Sequence, residues 1–159
     1  VELFEAKFPL YVRQYSLNTG EGVGAGRYRG GFGAVREFEI LADEAFTYAS
    51  FGRTSEPPWG LKGGGTGSCN FMEIESGEDV QRVARIPYHA LKQGDRVRVV
   101  TGGGGGYGEA FERPPEEVLA DLRNDYITPE TARAQYGVAL TADGAIDKAA
   151  TNSLRAARS

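Results

Sequence analysis

Through the first hundred residues apolar positions tend to alternate with polar ones, and beyond Arg113 they recur every third or fourth residue, so the chain reads as strands followed by helices. Phe8, Leu10 and Val12 share one face, and a phase shift lets Tyr15 and Leu17 continue it; that pattern predicts a strand with a bulge or bend near Arg13. Asn18-Thr19-Gly20 closes it as a turn. Residues 34–41 and 45–51 are joined by Ala42-Asp43-Glu44 and predict a hairpin, with Phe38 and Ile40 inward and Arg36 and the flanking glutamates on a solvated face. Residues 70–75 and 80–86 predict a second hairpin around Ser76-Gly77-Glu78-Asp79. Residues 87–95 then form a connection ending in a Gly-Asp turn, before a strand over 96–101.

The helical part is marked by its ends. Pro114 suits a first helical position, and Val118, Leu119 and Leu122 form the stripe of a helix that Asn124-Asp125-Tyr126-Ile127 breaks. Thr128-Pro129-Glu130 starts a second helix as N-cap, N1 proline and acidic first turn, and Gly137 supplies its C-cap. Asp147 caps a third over residues 148–158, with Leu154 nearly its only large apolar residue. The fold class expected is α+β: an antiparallel sheet or small sandwich with glycine-rich connections over residues 1–108, and a helical tail over 109–159, forming one compact unit.

Composition narrows the function classes. With 40% hydrophobic and 25% charged residues in 159, the chain can bury a core as one domain. A net charge of −4 leaves no electrostatic footprint for nucleic acid, and no basic amphipathic stretch suggests an anionic membrane surface. No run approaches the roughly 18 apolar residues of a membrane span. The single cysteine, Cys69, excludes an internal disulfide and fits a reducing, cytoplasmic compartment. The chain starts at Val1 in strand-like sequence, as expected of a fragment, a processed product or a split subunit of a longer protein.

Glycine is the outlier, at 23 residues. The run Gly102 to Gly106, followed by Tyr107, lies between the last strand and the first tail helix. Five consecutive glycines lose much entropy on ordering, so a fold that orders them needs close backbone approach or positive φ there. A phosphate cradle is one use of a strand–glycine–helix order, but no Gly-Lys-Ser or Gly-Lys-Thr follows, and Glu109 and Glu112 would repel an anion. Close approach by a partner chain is the other use. The earlier loop Gly22 to Gly33 holds Gly24-Ala25-Gly26 but has Arg29 where the dinucleotide fingerprint needs glycine, and it leads into a strand. Trp59, after Pro57-Pro58, reads as a plug pinning its loop. His89 is the only histidine, so neither a metal site nor a Cys69–His89 dyad is expected, and no catalytic residue is identified. The ligand- or partner-contact candidates are Arg53, Trp59, Gly102, Gly103, Gly104, Gly105, Gly106 and Tyr107.

Four stretches in order carry a resemblance: Gly24-Ala25-Gly26-Arg27-Tyr28-Arg29-Gly30-Gly31, Pro57-Pro58-Trp59-Gly60, Thr101 to Gly108, and a tail with Glu112-Arg113-Pro114, Val118, Asp121, Thr128-Pro129-Glu130, Ala132 and Tyr136-Gly137-Val138. Together they resemble the C-terminal part of the hydantoinase B/5-oxoprolinase family. The resemblance implies a segment of a multi-subunit, ATP-dependent enzyme that opens hydantoin or oxoproline lactam rings or carboxylates ketones such as acetone. It implies as partners the rest of the B-type subunit and a hydantoinase A-like, ATP-binding subunit. It places ATP, magnesium and any divalent metal in those partners rather than in this chain. The segment's own role is then assembly and shaping of a site completed elsewhere. A free-standing domain that binds a ligand with its glycine-rich loops is the alternative.

Overall fold

The computed structural model describes residues 1–157. By contacts the chain sorts into two compact units that interleave along the sequence: unit 1 is 1–18, 33–56 and 69–102, and unit 2 is 19–32, 57–68 and 103–159. The glycine-rich connections therefore group with the tail helices, where the sequence suggested a single boundary after Gly108.

Unit 1 begins with a short helix, α1 (Glu2–Lys7), where strand-like sequence was expected. Its strands are β1 (Leu10–Asn18), β2 (Gly33–Ile40), β3 (Glu44–Ser50), β4 (Phe71–Ser76), β5 (Asp79–Val83), β6 (Arg85–Lys92) and β7 (Arg96–Val100). Five form an antiparallel sheet in the order β1-β2-β7-β4-β5, and β3 pairs with β6 in a separate two-stranded sheet. The register of β1 on β2 shifts between Val12 and Gln14, the bulge expected near Arg13. Two expectations fail. β2 and β3 do not form a hairpin, because β2 is taken by β1 and β7 while β3 pairs with β6. Residues 85–92 are a strand, with Pro87 at the register irregularity where it owes no ladder hydrogen bond.

Alternation gives the large sheet two unlike faces. Ile40, Val97, Met72 and Ile74 pack with Ala49 and Leu91 of the small sheet, which makes the main core. The opposite face carries charges in cross-strand order: Glu37 lies near Arg13, Arg96 and Arg98, while Arg98 pairs with Glu73 at 2.8 Å and Arg96 with Glu75. These glutamates and Arg96 and Arg98 are half-buried, while Arg36, the arginine expected on a solvated face, is exposed and stacks its guanidinium 4.6 Å from the Tyr15 ring.

Unit 2 holds a 3-10 turn (Ala110–Glu112), α2 (Pro115–Arg123), α3 (Pro129–Tyr136) and α4 (Lys148–Ala156). The Thr128 hydroxyl accepts from the Thr131 amide, Pro129 follows, and Gly137 ends α3 at φ 62°, as its sequence signals require. Asp147 caps α4 through the Ala150 amide; the expected extension to Arg158 falls outside the described residues. Val118, Ala132, Tyr136 and Val138 form this unit's core, with Ala25, Leu122 and Ile146 packed on it.

Candidate functional site

In unit 2 the glycine run lies between two other extended stretches. Gly104 donates to Gly31 O (2.9 Å) and accepts from Gly24 N (2.9 Å); Tyr107 and Tyr28 exchange bonds of 2.8 and 3.0 Å. On the other side Gly106 donates to Gly65 O (2.9 Å), Leu61 donates to Gly106 O (2.9 Å), and Gly108 donates to Leu61 O (2.9 Å). The Gly103 amide donates to Ser68 Oγ at 2.8 Å. Within unit 1 the Gly102 amide donates to Asn70 Oδ1, also at 2.8 Å.

The stretches lie backbone against backbone, and glycine is what lets them approach. A Cβ on Gly105 would stand 2.1 Å from Trp59 O, and one on Gly106 would stand 2.1 Å from Ala25 O. The consequence for chemistry is direct. An anion cradle needs several open amides aimed at one point, and the amides of Gly102, Gly103, Gly104, Gly106 and Tyr107 already donate to protein oxygens. The run is a packed scaffold.

A buried charge cluster ties the first glycine stretch to α2. The Asp121 Oδ2 atom accepts from Arg29 Nε and from Arg113 Nη2, each at 3.1 Å. Arg29 also donates to Gly30 O (3.2 Å) and stacks its guanidinium 4.8 Å from the Phe32 ring and 5.3 Å from the Tyr126 ring. Arg113 reaches Arg27 O at 3.2 Å and Glu117 at 3.1 Å. Tyr136 lies buried near these charges, and burial pushes its phenol pKa up. Phe32 and Tyr126 also wall a cleft of about 670 Å³, whose rim includes Glu21, Asp125 and the hydroxyls of Thr128 and Thr131.

The candidates from the sequence divide between the units. Arg53 and Gly102 belong to unit 1, where Arg53 has φ 52° and its carbonyl accepts from the Asn70 amide (3.0 Å). Trp59, Gly103 to Gly106 and Tyr107 lie together in unit 2, with the Trp59 carbonyl against Gly105. Trp59 is 65% exposed, so it is not the buried plug its loop suggested. His89 lies in β6 and Cys69 just before β4, and among the described residues no three His, Cys, Asp or Glu side chains gather as a metal site. Phe32 and Tyr126 carry no site signal in the sequence, and Arg29, Arg113 and Asp121 enter only through the family motifs. The sequence signal was an arginine inside a glycine loop, but its carboxylate partner lies 92 residues away.

Comparison with known proteins converges on one family. Residues 1–110 match the family model described as hydantoinase B/oxoprolinase. The B-type subunit of a putative D-/L-hydantoinase from Pseudomonas sp. strain NS671 is 37% identical over 98% of this chain and 26% of its own length. The beta subunit of caprolactamase from Pseudomonas jessenii is 38% identical over 99% of this chain and 28% of its own. The crystal structure of ATP-dependent caprolactamase from that organism superposes over 98% of this chain and 28% of the other, with a TM-score of 0.80 and 32% identity. Acetone carboxylase in its nucleotide-free form shares the fold, with a TM-score of 0.80 over 99% of this chain and 26% of that one, at 22% identity. The chain thus spans about a quarter of the length of these relatives. With its family model covering more than two thirds of its residues, this chain belongs to the hydantoinase B/oxoprolinase family.

Proposed function

We propose that the chain works as a segment of the B-type subunit of a multi-subunit, ATP-dependent enzyme that opens cyclic amides such as hydantoins, oxoproline or larger lactams. Its role there is assembly and shaping of a site completed by other polypeptide, rather than chemistry of its own. The observation that carries this is the glycine scaffold of unit 2, a costly, side-chain-free packing whose amides bind protein oxygens instead of a ligand. Ring opening is favoured over ketone carboxylation because the two relatives at 37% and 38% identity are named as a putative hydantoinase subunit and a caprolactamase subunit. The acetone carboxylase likeness supports the fold alone.

On this reading ATP, magnesium and any divalent metal are held by the remaining B-type polypeptide and by a hydantoinase A-like, ATP-binding subunit, in the cytoplasm. The residues here offer such groups no open amide fan along the glycine run. The test is the complex purified from its source with this chain in it: ADP should form on addition of a hydantoin or lactam. ATP binding or hydantoin opening by the isolated chain would refute the reading. A free-standing ligand-binding domain is the second reading, favoured only by the cleft beside Tyr126. Equilibrium dialysis of the isolated chain with hydantoins and phosphates decides it, since saturable binding is required.

A further inference from the structure

Three side chains from three separate stretches line up on the scaffold of unit 2. Tyr28 is bridged antiparallel to Tyr107, and Leu61 is bridged parallel to the same Tyr107, so the three residues are direct cross-strand neighbours and share a face. The two rings sit 6.4 Å apart. Yet Tyr28 is 60% exposed, Leu61 56% and Tyr107 49%. A contiguous apolar row of this kind marks a docking surface more often than a bare exterior. Its composition and setting fit: aromatic side chains dominate interface cores, and a backbone already fixed by hydrogen bonds loses little freedom when a partner binds.

A second, independent feature stands at the end of the row. Leu61 to Gly64 form a tight turn, with Gly64 N donating to Leu61 O at 3.0 Å and positive φ at both central residues, Lys62 (53°) and Gly63 (89°). That is the pattern of a type I′ turn, whose first central position favours glycine, asparagine or aspartate. A lysine held there is strained, and such strain persists where a site benefits from it. Lys62 is exposed and directly follows Leu61 of the row, and the carboxylate of Glu109 lies against the neighbouring Gly63. Arg27, the other nearby cation, is engaged with Glu112 and the Tyr28 ring.

We propose that Tyr28, Tyr107 and Leu61, with Lys62 at their edge, form the surface on which this segment docks against the remainder of the B-type subunit, which supplies apolar side chains and a carboxylate facing Lys62. The inference rests on the function proposed above. The occupant is argued from length: relatives carry about three quarters of their polypeptide outside the region matched here, in the same chain. In those relatives the matched region meets the rest at the high effective concentration of a shared chain, so the surface facing that remainder is the one that must hold the two together where they are separate polypeptides.

The test is affinity capture of the chain from its own source, with B-type polypeptide identified by mass spectrometry, and zero-length carbodiimide cross-linking. The expected result is a Lys62 cross-link to an Asp or Glu of the remaining B-type polypeptide, and a loss of association of roughly 30-fold or more for Leu61→Asp with Tyr107→Ser. Both positions are exposed, and circular dichroism is the check that the variant folds. Tyr48→Ser, at an exposed tyrosine of unit 1, should associate as the parent does. If the parent captures B-type polypeptide and the double variant captures it equally well, this inference is overturned while the functional reading stands. A Lys62 cross-link to a second copy or to the ATP-binding subunit also overturns it. If the parent captures no B-type polypeptide, the functional reading fails and takes this inference with it.

Discussion

Gly106→Ala should unfold unit 2 at much lower urea than the parent, whereas Gly104→Ala, two residues away in the same run, should not. Neither glycine has positive φ, so alanine's own backbone preferences are met at both, and the difference lies in what the methyl meets. At Gly106 the added Cβ stands 2.1 Å from Ala25 O, 2.6 Å from Ala25 C and 2.8 Å from Gly24 O, all backbone atoms. Relief requires the Gly24–Ala25 stretch to withdraw, which stretches the Gly65 N to Ala25 O bond (2.7 Å) and the Gly24 N to Gly104 O bond (2.9 Å). Overpacking costs about 1–3 kcal/mol and each hydrogen bond lost contributes about 1 kcal/mol more, so roughly 3–5 kcal/mol is expected. At Gly104 the nearest atom, Gly31 N, is 3.5 Å away, an ordinary contact, and reduced unfolded-state entropy offsets any small repacking cost to within about 1 kcal/mol. Urea unfolding followed by Trp59 fluorescence reads unit 2 directly. With a slope of about 2 kcal/mol/M the Gly106 variant's midpoint falls by about 2 M and the Gly104 variant's by less than about 0.5 M. Equal midpoints for the two variants would refute the backbone-packing explanation of the run.

Asp121→Ala leaves two largely buried guanidiniums facing each other and should lower stability by about 3–5 kcal/mol, seen as a fall of roughly 10 °C in the thermal midpoint. A variant melting within about 2 °C of the parent, on the order of one kcal/mol or less, would show the cluster to be dispensable. Asp125, in the left-handed region at φ 55° just after α2, occupies a position that favours glycine, so Asp125→Gly should stabilise by about 0.5 kcal/mol in urea titration. Because burial raises the Tyr136 pKa, the unfolded chain loses that proton first as pH rises above the ordinary value of 10.0. Stability from Tyr136 is complete below pH 10.0 and is lost as pH climbs through the higher folded value; Tyr136→Phe should flatten that alkaline decline in thermal midpoint.

Where the sequence spoke locally, it was legible. Thr128-Pro129-Glu130 and Gly137 bound α3 because capping is settled within four residues, and the phase shift around Arg13 revealed its bulge for the same reason. Pairing over distance was not legible. Ala42-Asp43-Glu44 is short enough for a hairpin, yet β2 finds its partners in β1 and in β7, some sixty residues on, and β3 finds β6. Residues 87–95 read as a connection, yet β6 runs through Pro87 by seating it at an irregularity. The glycine run was recognisable as a special backbone site. Its meaning depends on Ala25, Trp59 and Gly65, forty to eighty residues earlier, and no local pattern shows that those stretches pack against it. Arg29 was hidden for the same reason, since its carboxylate lies on α2.

The central claim is that this chain shapes and assembles a site whose chemistry is completed by other polypeptide. The most direct measurement is substrate-dependent ADP formation, assayed in parallel on the isolated chain and on the complex purified with it. The expected result is turnover with a hydantoin or lactam in the complex and none in the isolated chain. ADP formation or ring opening by the isolated chain would contradict the claim.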